Sequence, residues 1–339
     1  MRETLKMLCS LPGISGRENK VRDYIISQID GFCNYHTDNL GNLIAFKKGR
    51  QSAKNKVLID AHMDEVGFIV TGVTDDGLLR FANVGGIDTK VFIGRNVAVG
   101  EKAIPGVVGI VPVHLTEKED ENKIPGADSL YIDIGAHDRE SALTLVSPGD
   151  EVCFDGEFTE FGNGFICSKA IDNRAGCAIM IDLIRSDLEY DCFFSFSVQE
   201  EVGTRGAAAS AFGVAPDYAI VTETTTAADI SGVTGEDRVC VCGEGPAVSF
   251  MDRSTIYDID LYRKALETAK QKNIKAQTKT RVAGGNDAGA IHKSRSGVKV
   301  LTLSVPTRYL HSPGCVCKYE DIESTRDLVK AMAEELAKC

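Results

Sequence analysis

The sequence lacks the features that would suit a nucleic-acid or membrane partner. Its 38 Lys and Arg residues are outnumbered by 49 Asp and Glu residues, which gives a net charge of −11. Binding to nucleic acid or to an anionic membrane requires concentrated positive charge. No stretch approaches a membrane-spanning length, and the opening MRETLKMLCSLPG has too short an apolar run for a secretory signal. We therefore expect a cytoplasmic protein without nucleic-acid or membrane partners.

The sequence also lacks the compact cysteine framework of a small disulfide-stapled protein. Its 11 cysteines are odd in number and scattered over 339 residues, which favours reduced thiols. Two C-x-C pairs stand out, Cys240 with Cys242 and Cys315 with Cys317. Such a pair can bind zinc, but two residues apart on a strand also share one face, where cysteine packs as a small hydrophobic residue. We favour this structural interpretation over zinc binding.

What is present is the composition of a folded, globular protein. Hydrophobic residues make up 43% of the chain and charged residues 26%, and neither an internal repeat nor a low-complexity segment occurs. A chain of 339 residues is long for one compact core, so two domains are expected.

The N-terminal part of the chain has the pattern of an α/β protein. The segment SGRENKVRDYIISQI predicts a helix, because apolar residues from Val21 to Ile29 recur at helical spacing and Ser15 with Glu18 suits a capping box. The runs NLIAFKKG and KVLIDAHM predict strands.

The sequence pattern changes between residues 67 and 161. Short β-like runs broken by turn residues occur there, such as GFIVTGVTDDGLLRF and GVVGIVPVHL, whereas helical periodicity is scarce. Helices and strands then alternate again, from CAIMIDLIRS to DIESTRDLVKAMAEELAK. The pattern predicts one α/β domain formed by residues 1–66 and 162–339, interrupted by a β-rich insert at 67–161.

Potential metal ligands follow the predicted strands. Ligands of open α/β sheets bind beyond the carboxyl ends of the strands. The histidines and carboxylates that follow apolar runs, or open the helix after the insert, are His62, Asp64, Asp172, Glu200, Glu201, Glu223 and His311. Imidazole nitrogen and carboxylate oxygen are the usual non-sulfur ligands of zinc.

The number of these residues is enough for two neighbouring cations. Such a pair needs one bridging carboxylate and about two further ligands for each cation. Asp172 as the bridge satisfies this requirement, with terminal ligands His62, Glu201, Glu223 and His311. Glu200 remains free to take a proton from water, and Asp64 can hold His62 by its second ring nitrogen.

Each residue taken singly has an ordinary alternative. His62 alone is more often a buried or surface histidine, and Asp172 before Asn173 is more often a helix cap. Glu223 can simply end a strand in water, and His311 can be a turn residue. Their convergence on one predicted rim favours the metal site. We interpret the other histidines His36, His114 and His137 as solvated or structural, and the role of His292 stays open.

Four motifs carry a resemblance to a known family. IDAHMDEVGF, SKAIDNRAG, SVQEEVGTRG and VPTRYLHSP resemble, in order and spacing, the motifs of the tetrahedral aminopeptidases, which are co-catalytic metallopeptidases. The resemblance implies an α/β, mixed-sheet metallopeptidase domain with an inserted β-barrel, PDZ-like dimerisation domain. It also implies peptide substrates and a homo-oligomer in which dimers assemble to a dodecamer.

The resemblance further implies the roles of individual residues. Two divalent metal ions per subunit are expected, zinc first, with cobalt or manganese as alternatives. One would be held by His62, Asp172 and Glu223, and the other by Asp172, Glu201 and His311. Asp64 would orient His62, and Glu200 would be the general base on a metal-bridging water. The family usually has Asp in the position of Glu223, so this chain departs from the pattern by one methylene.

The expected activity is hydrolysis of N-terminal residues from peptides by a metallo-aminopeptidase. Two alternatives are a metal-site glycan hydrolase, because relatives have been described as endoglucanases, and a non-catalytic peptide-binding assembly protein. The preferred N-terminal residue stays open. Arg205 or Arg308 would favour an acidic side chain if either reached the pocket, although a solvated or structural arginine is the commoner case.

Overall fold

The computed structural model describes residues 1–115 and 123–338. Its α-helices are α1 (Arg2–Ser10), α2 (Asn19–Ile29), α3 (Arg139–Leu143), α4 (Ile171–Arg185), α5 (Arg205–Val214), α6 (Ile259–Gln271), α7 (Ala288–Ile291) and α8 (Tyr319–Lys338). Its strands are β1 (Asn34–Thr37), β2 (Leu43–Lys47), β3 (Val57–His62), β4 (Gly67–Val73), β5 (Leu79–Val84), β6 (Asn96–Val99), β7 (Ile104–Gly109), β8 (Tyr131–Asp133), β9 (Glu151–Phe154), β10 (Thr159–Phe161), β11 (Phe165–Ser168), β12 (Cys192–Ser197), β13 (Tyr218–Thr226), β14 (Ala247–Val248), β15 (Gln277–Thr278), β16 (Lys299–Arg308) and β17 (Cys315–Lys318).

The larger of the two sheets is a mixed sheet of 11 strands. Its strand order is β1-β2-β12-β3-β13-β16-β17-β11-β10, with β14 and β15 attached beside β16. The central strands β12, β3, β13 and β16 are parallel. They are buried along almost their whole length because helices cover both faces, with α4 and α8 on one side and α5 and α7 on the other. This confirms the predicted mixed α/β sheet.

A closed antiparallel barrel forms the second core. Its strands are ordered β4-β5-β8-β7-β6-β9. The interior is apolar, and the Phe68 ring lies 4.9–5.4 Å from the ring centroids of Phe81, Phe92 and Phe154. The predicted barrel is thereby confirmed. The exact domain limits 66/67 and 161/162 stay a prediction, and β10, which falls within the predicted insert, pairs with β11 of the large sheet.

The predicted capping box before α2 is wrong. The helix begins at Asn19, and no side chain caps its first turn. The Ser15 hydroxyl donates instead to Asp64 Oδ2 at 2.6 Å, and Glu18 Oε1 accepts from the backbone N–H groups of Gly16 and Gln199. Ser15 is engaged by the loop that follows β3 and Glu18 by the loop that follows β12, so neither side chain is available to the helix.

The strand β13 is longer than its apolar run suggested. Glu223 was expected at a strand end, but β13 continues to Thr226 and Glu223 is buried within it. The strand pairs with β16 along its whole length, which keeps the polar sequence ETTT in the sheet. Within residues 1–115 and 123–338, no helix is long and apolar enough to cross a membrane.

Candidate metal centre

The large sheet brings the predicted site residues to one rim. His62 ends β3, Glu200 and Glu201 follow β12, and His311 follows β16. Asp172 lies in the first, non-helical turn of α4. With Glu223 they line a cavity of about 470 Å³ at the carboxyl ends of the parallel strands. Asp64 is fully buried behind this wall.

The first group of metal-ligating atoms surrounds His62. Its Nε2 lies 3.4 Å from Asp172 Oδ1 and 3.5 Å from Glu223 Oε1. The other ring nitrogen, Nδ1, faces Asp64, 3.1 Å from the carbonyl oxygen and 3.4 Å from Oδ1. Asp64 therefore directs Nε2 toward the cavity, which is the outer-shell arrangement that metal-binding histidines commonly have.

The second group surrounds His311. Its Nε2 lies 3.5 Å from Asp172 Oδ2 and 3.4 Å from Glu201 Oε2. Its Nδ1 is 2.6 Å from the carbonyl oxygen of Gly86, in the loop after β5 of the barrel. Asp172 thus turns one carboxylate oxygen to each histidine. The sequence did not reveal the Gly86 contact, because any residue offers a backbone carbonyl.

Ionisation in the cavity is strongly perturbed. Burial raises the pKa of Glu201 to about 8 and that of Glu223 to about 7, and it raises the pKa of Glu200 well above its usual range. Burial opposes an imidazolium at His311, but Asp172 and Glu201 still raise its pKa to about 9. These carboxylates are therefore costly to ionise together unless positive charge lies among them.

This donor set fits divalent cations. The two groups His62, Asp172, Glu223 and Asp172, Glu201, His311 each bring nitrogen and carboxylate oxygen atoms within 4.8 Å of one another. Nitrogen and oxygen ligands of this kind suit zinc and similar divalent metals. The longer side chain of Glu223 does not withdraw it from the group, since its Oε1 faces His62 and also accepts the N–H of Thr224 at 2.9 Å.

The buried Asp64 carboxylate also binds the backbone of the two glutamates. Its Oδ1 accepts the backbone N–H of Glu200 at 3.0 Å, and its Oδ2 accepts the N–H of Glu201 at 3.1 Å. Both glutamates are therefore held by the same carboxylate that faces His62. The adjacent pair is fixed through its backbone, which leaves both side chains free to reach the cavity.

The arginines suggested for substrate selection lie elsewhere. Arg308 forms a two-point ion pair with Asp229, at 2.7 and 2.8 Å, and Arg205 bonds the Gln199 side chain at 3.4 Å. Neither lines the cavity. Among the described residues that line the cavity, the lysine is Lys279, a buried residue that the sequence does not mark because no motif surrounds it.

The other cysteines and histidines in residues 1–115 and 123–338 lie outside the two groups of metal-ligating atoms. Cys315 and Cys317 are buried on β17, whereas Cys240 and Cys242 lie in a loop rather than on a strand. Burial raises the pKa of Cys242 and Cys315 to about 12, as expected of packed thiols. His292 bonds the carbonyl oxygen of Ala288 at 2.8 Å and does not line the cavity of the metal centre.

The family model described as M42 glutamyl aminopeptidase matches residues 41–328. The lysyl aminopeptidase of Pyrococcus furiosus is 32% identical over 98% of this chain and 97% of its own length. The solved TET1 peptidase of Pyrococcus horikoshii is 38% identical, with a TM-score of 0.87 and 99% of both chains covered. A solved endoglucanase of Thermotoga maritima is also 38% identical, with a TM-score of 0.81 over 98% of this chain and 97% of its own.

The match covers most of the chain and agrees with both the mixed sheet with its barrel and the histidine–carboxylate donors at the rim. Together these findings make the protein a metallopeptidase that uses divalent metal. The chain belongs to the M42 glutamyl aminopeptidase family.

Proposed function

We propose that the protein is an aminopeptidase whose site holds two divalent cations. The observation that carries the proposal is the position of Asp172, whose two carboxylate oxygens face His62 and His311 separately. One cation would be held by His62, Asp172 and Glu223, and the second by Asp172, Glu201 and His311. Zinc suits these ligands, and cobalt and manganese suit them as well.

Cations bound at these donors would supply Lewis-acid polarisation of the scissile carbonyl and make water more acidic. Glu200 takes the proton of the attacking water and later returns it to the leaving amine. Its raised pKa suits this role, because a carboxyl group that is buried can hold the proton near neutral pH.

The test replaces Glu200 with Gln, which preserves the size of the side chain but removes the base. Peptide hydrolysis should fall by about 10²–10⁴-fold, the usual contribution of general acid–base catalysis, while the bound metal measured by elemental analysis stays at the wild-type level. The exposed Glu101→Gln variant is the control. Turnover at the wild-type rate in the Glu200→Gln variant would refute the role of Glu200.

We also infer a preference for an acidic N-terminal residue, which Lys279 would recognise. Its ammonium group is buried beside the cavity, and the hydrogen bond found for it in the described residues goes to the Ala283 carbonyl oxygen at 3.0 Å. Burial lowers the pKa of Lys279, so the charged form gains from a carboxylate partner. A substrate Glu or Asp side chain would provide that carboxylate.

A panel of aminoacyl-p-nitroanilides tests this preference. In the Lys279→Met variant, kcat/KM for acidic substrates should fall by about 10–100-fold, the value of one charge-assisted hydrogen bond, with little change for neutral substrates. The exposed Lys293→Met variant should behave as wild type. An equal loss on all substrates would indicate that Lys279 has a structural role instead.

We further propose that the protein forms a homo-oligomer built from dimers that meet through the barrel. The TET1 peptidase of Pyrococcus horikoshii can assemble into a tetrahedron or a large octahedral shell, and a solved TET1 structure that is 38% identical to this chain is a dodecamer. A dodecamer is therefore the first expectation. Exposed apolar residues on and after β7, Val107, Ile110 and Val111, offer a contact surface. Light scattering of the purified protein distinguishes monomer, dimer and dodecamer.

The similarity to an endoglucanase supports glycan hydrolysis as the second candidate function. Glycosidases normally use two carboxylates without metal, whereas this cavity combines carboxylates with two histidines. Peptide hydrolysis that is lost in EDTA and restored by zinc favours the aminopeptidase. Cellulose hydrolysis that survives EDTA would favour the glycosidase, and inactivity on both with intact metal binding would favour a non-catalytic peptide-binding protein.

A further inference from the structure

The segment between α1 and α2, residues 13–18, lies against the loop that carries the two glutamates. It is anchored to the sheet domain by a parallel bridge between Ile14 and Glu65 and by the Glu65 N–H, which donates to the Gly13 carbonyl oxygen at 3.0 Å. The buried Arg174 guanidinium also reaches this carbonyl, at 3.4 Å. We name residues 13–18 the brace segment.

Ser15 extends from the brace segment to Asp64. Its hydroxyl donates to Asp64 Oδ2 at 2.6 Å, a short bond to a fully buried carboxylate. The same carboxylate accepts the N–H groups of Glu200 and Glu201. Removing the Ser15 hydroxyl therefore takes away a donor from the group that orients both glutamates, and leaves a buried oxygen less satisfied.

Glu18 holds the residue immediately before the pair. Its Oε1 accepts the N–H of Gly16 at 2.7 Å and that of Gln199 at 3.1 Å, and the Glu18 side chain is buried. Gln199 has a positive φ of 57°, a conformation that non-glycine residues rarely adopt and that costs about 1–3 kcal/mol. The bond from Glu18 helps to hold Gln199 in this conformation.

Three consecutive backbone N–H groups, from Gln199 to Glu201, thus end on two buried carboxylates. The left-handed residue turns the chain at the end of β12, and the three bonds set the direction in which each glutamate leaves the backbone. Glu201 approaches His311, while Glu200 lines the cavity without an ion pair to that histidine.

We propose that Ser15 and Glu18 are positioning residues for the metal centre, acting on Glu200 and Glu201 through Asp64 and the Gln199 backbone. The proposal rests on the assigned roles of these two glutamates. Neither side chain caps the first turn of α2. The proposed role of the brace segment is therefore to support catalysis and metal binding, not to stabilise that helix.

Two matched pairs of variants test the proposal. Ser15→Ala removes the hydroxyl and Ser15→Thr keeps it; Glu18→Ala removes the acceptor and Glu18→Gln keeps it. The measurements are kcat and KM on a peptide substrate, zinc affinity of the metal-free protein by calorimetry, and thermal unfolding. The exposed Ser27→Ala on α2 is the control, because the Ser27 hydroxyl donates to the Tyr24 carbonyl oxygen and accepts from Gln28 Nε2, both on the same helix and away from the metal centre.

The alanine variants should lose about 10–100-fold in kcat and in zinc affinity, which is the usual effect of removing a residue that orients metal ligands. KM should change little, and the Thr and Gln variants should recover both quantities. If Ser15→Ala does not fold, the Glu18 pair decides on the same criteria. Folded alanine variants with wild-type kcat and zinc affinity, shifted only in thermal unfolding, would overturn the proposal.

The zinc measurement separates this outcome from failure of the proposed function. An active Glu200→Gln variant would refute the role of Glu200, whatever the brace variants do. Zinc affinity does not depend on turnover. Wild-type kcat and zinc affinity in Ser15→Ala and Glu18→Ala, alongside an inactive Glu200→Gln, would therefore reject the positioning role of the brace segment and leave the role of Glu200 intact.

Discussion

The barrel and the large sheet bury different kinds of side chain. Within the described part of residues 67–154, the buried core is apolar and centres on four phenylalanine rings. The large sheet also buries apolar residues, but around its parallel strands it places fully buried carboxylates such as Asp60, Asp64 and Asp287. A buried charge costs free energy unless it is paired, whereas an aromatic cluster stabilises through area and ring contacts.

The barrel core therefore contributes packing, whereas the rim of the large sheet holds the ionisable groups. Among its described residues, the barrel core holds no buried polar or charged side chain, so packing alone determines which side chains it contains. The sheet tolerates unfavourable ionisation at its rim, where burial raises the pKa of Glu201 and Glu223, the carboxylates that we propose as cation ligands. Substitutions in the barrel core should therefore lower the unfolding free energy. Substitutions at the rim should instead change metal affinity and the stabilisation that bound metal provides.

The largest effect is expected from Phe68→Ala in the barrel. Phe68 is fully buried and contacts three other rings, so its loss should lower the free energy of unfolding by about 3–5 kcal/mol. Denaturant unfolding measures this value. Zinc affinity of the folded variant should stay at the wild-type level.

The half-exposed Phe161 on β10 provides the control, since Phe161→Ala should change stability by only about 0.5 kcal/mol. A large fall in zinc affinity of folded Phe68→Ala would show that the barrel core and the rim are coupled, which would break the division between them.

The second effect is stabilisation of the sheet by cations. Without metal, Glu201, Glu223 and Asp172 lie together in a buried site, and this arrangement exists only in the folded state. Zinc bound there, as we propose, would therefore stabilise that state. Zinc at a free concentration 100 times its Kd should raise the unfolding free energy by about 2.7 kcal/mol. Calorimetric unfolding with and without zinc measures the shift.

The Asp172→Asn variant is the matched test, because it lacks the charge that faces both histidines. Its unfolding temperature should respond much less to zinc. An equal response in wild type and variant would place the stabilising ion somewhere other than the rim.

The smallest effect concerns the ion pair of Asp229 and Arg308. Burial opposes ionisation of Asp229, but the Arg308 guanidinium outweighs it and lowers the pKa of Asp229 below its usual 3.8. A lowered pKa in the folded state stabilises the protein above pH 3.8, and this contribution is lost as the pH falls through the folded-state value.

The unfolding free energies of wild type and Asp229→Asn should therefore differ at pH 7 and converge below pH 3.8. The exposed Asp76→Asn variant should follow the wild-type curve. A constant difference between wild type and Asp229→Asn at all pH values would show that packing, not ionisation, is responsible.

The rim could be predicted because strand ends in parallel sheets coincide. His62, Glu200 and Glu201 each follow an apolar run that also defines a strand, so one sequence pattern gave both fold and site. The length of β13 could not be predicted, since the polar residues ETTT after Glu223 do not look like a buried strand. Their burial comes from pairing with β16, which is distant in the chain.

Ser15 and Glu18 illustrate a second limit. Their spacing is that of a capping box, and local sequence rules consider only the adjacent helix. The competing partners, Asp64 and the Gln199 N–H, lie about 49 and 181 residues further along the chain. Lys279 was missed for a similar reason, because only the folded chain places it beside the cavity.

The contact between the Gly86 carbonyl and His311 has a consequence for mutational surveys. A backbone oxygen remains whatever side chain is placed at position 86. Single substitutions therefore cannot reveal the contribution of this hydrogen bond. The bond nevertheless transmits any displacement of the β5 loop directly to the imidazole. A movement of the barrel relative to the sheet would therefore shift His311 at the rim, even if no residue of the metal centre is replaced.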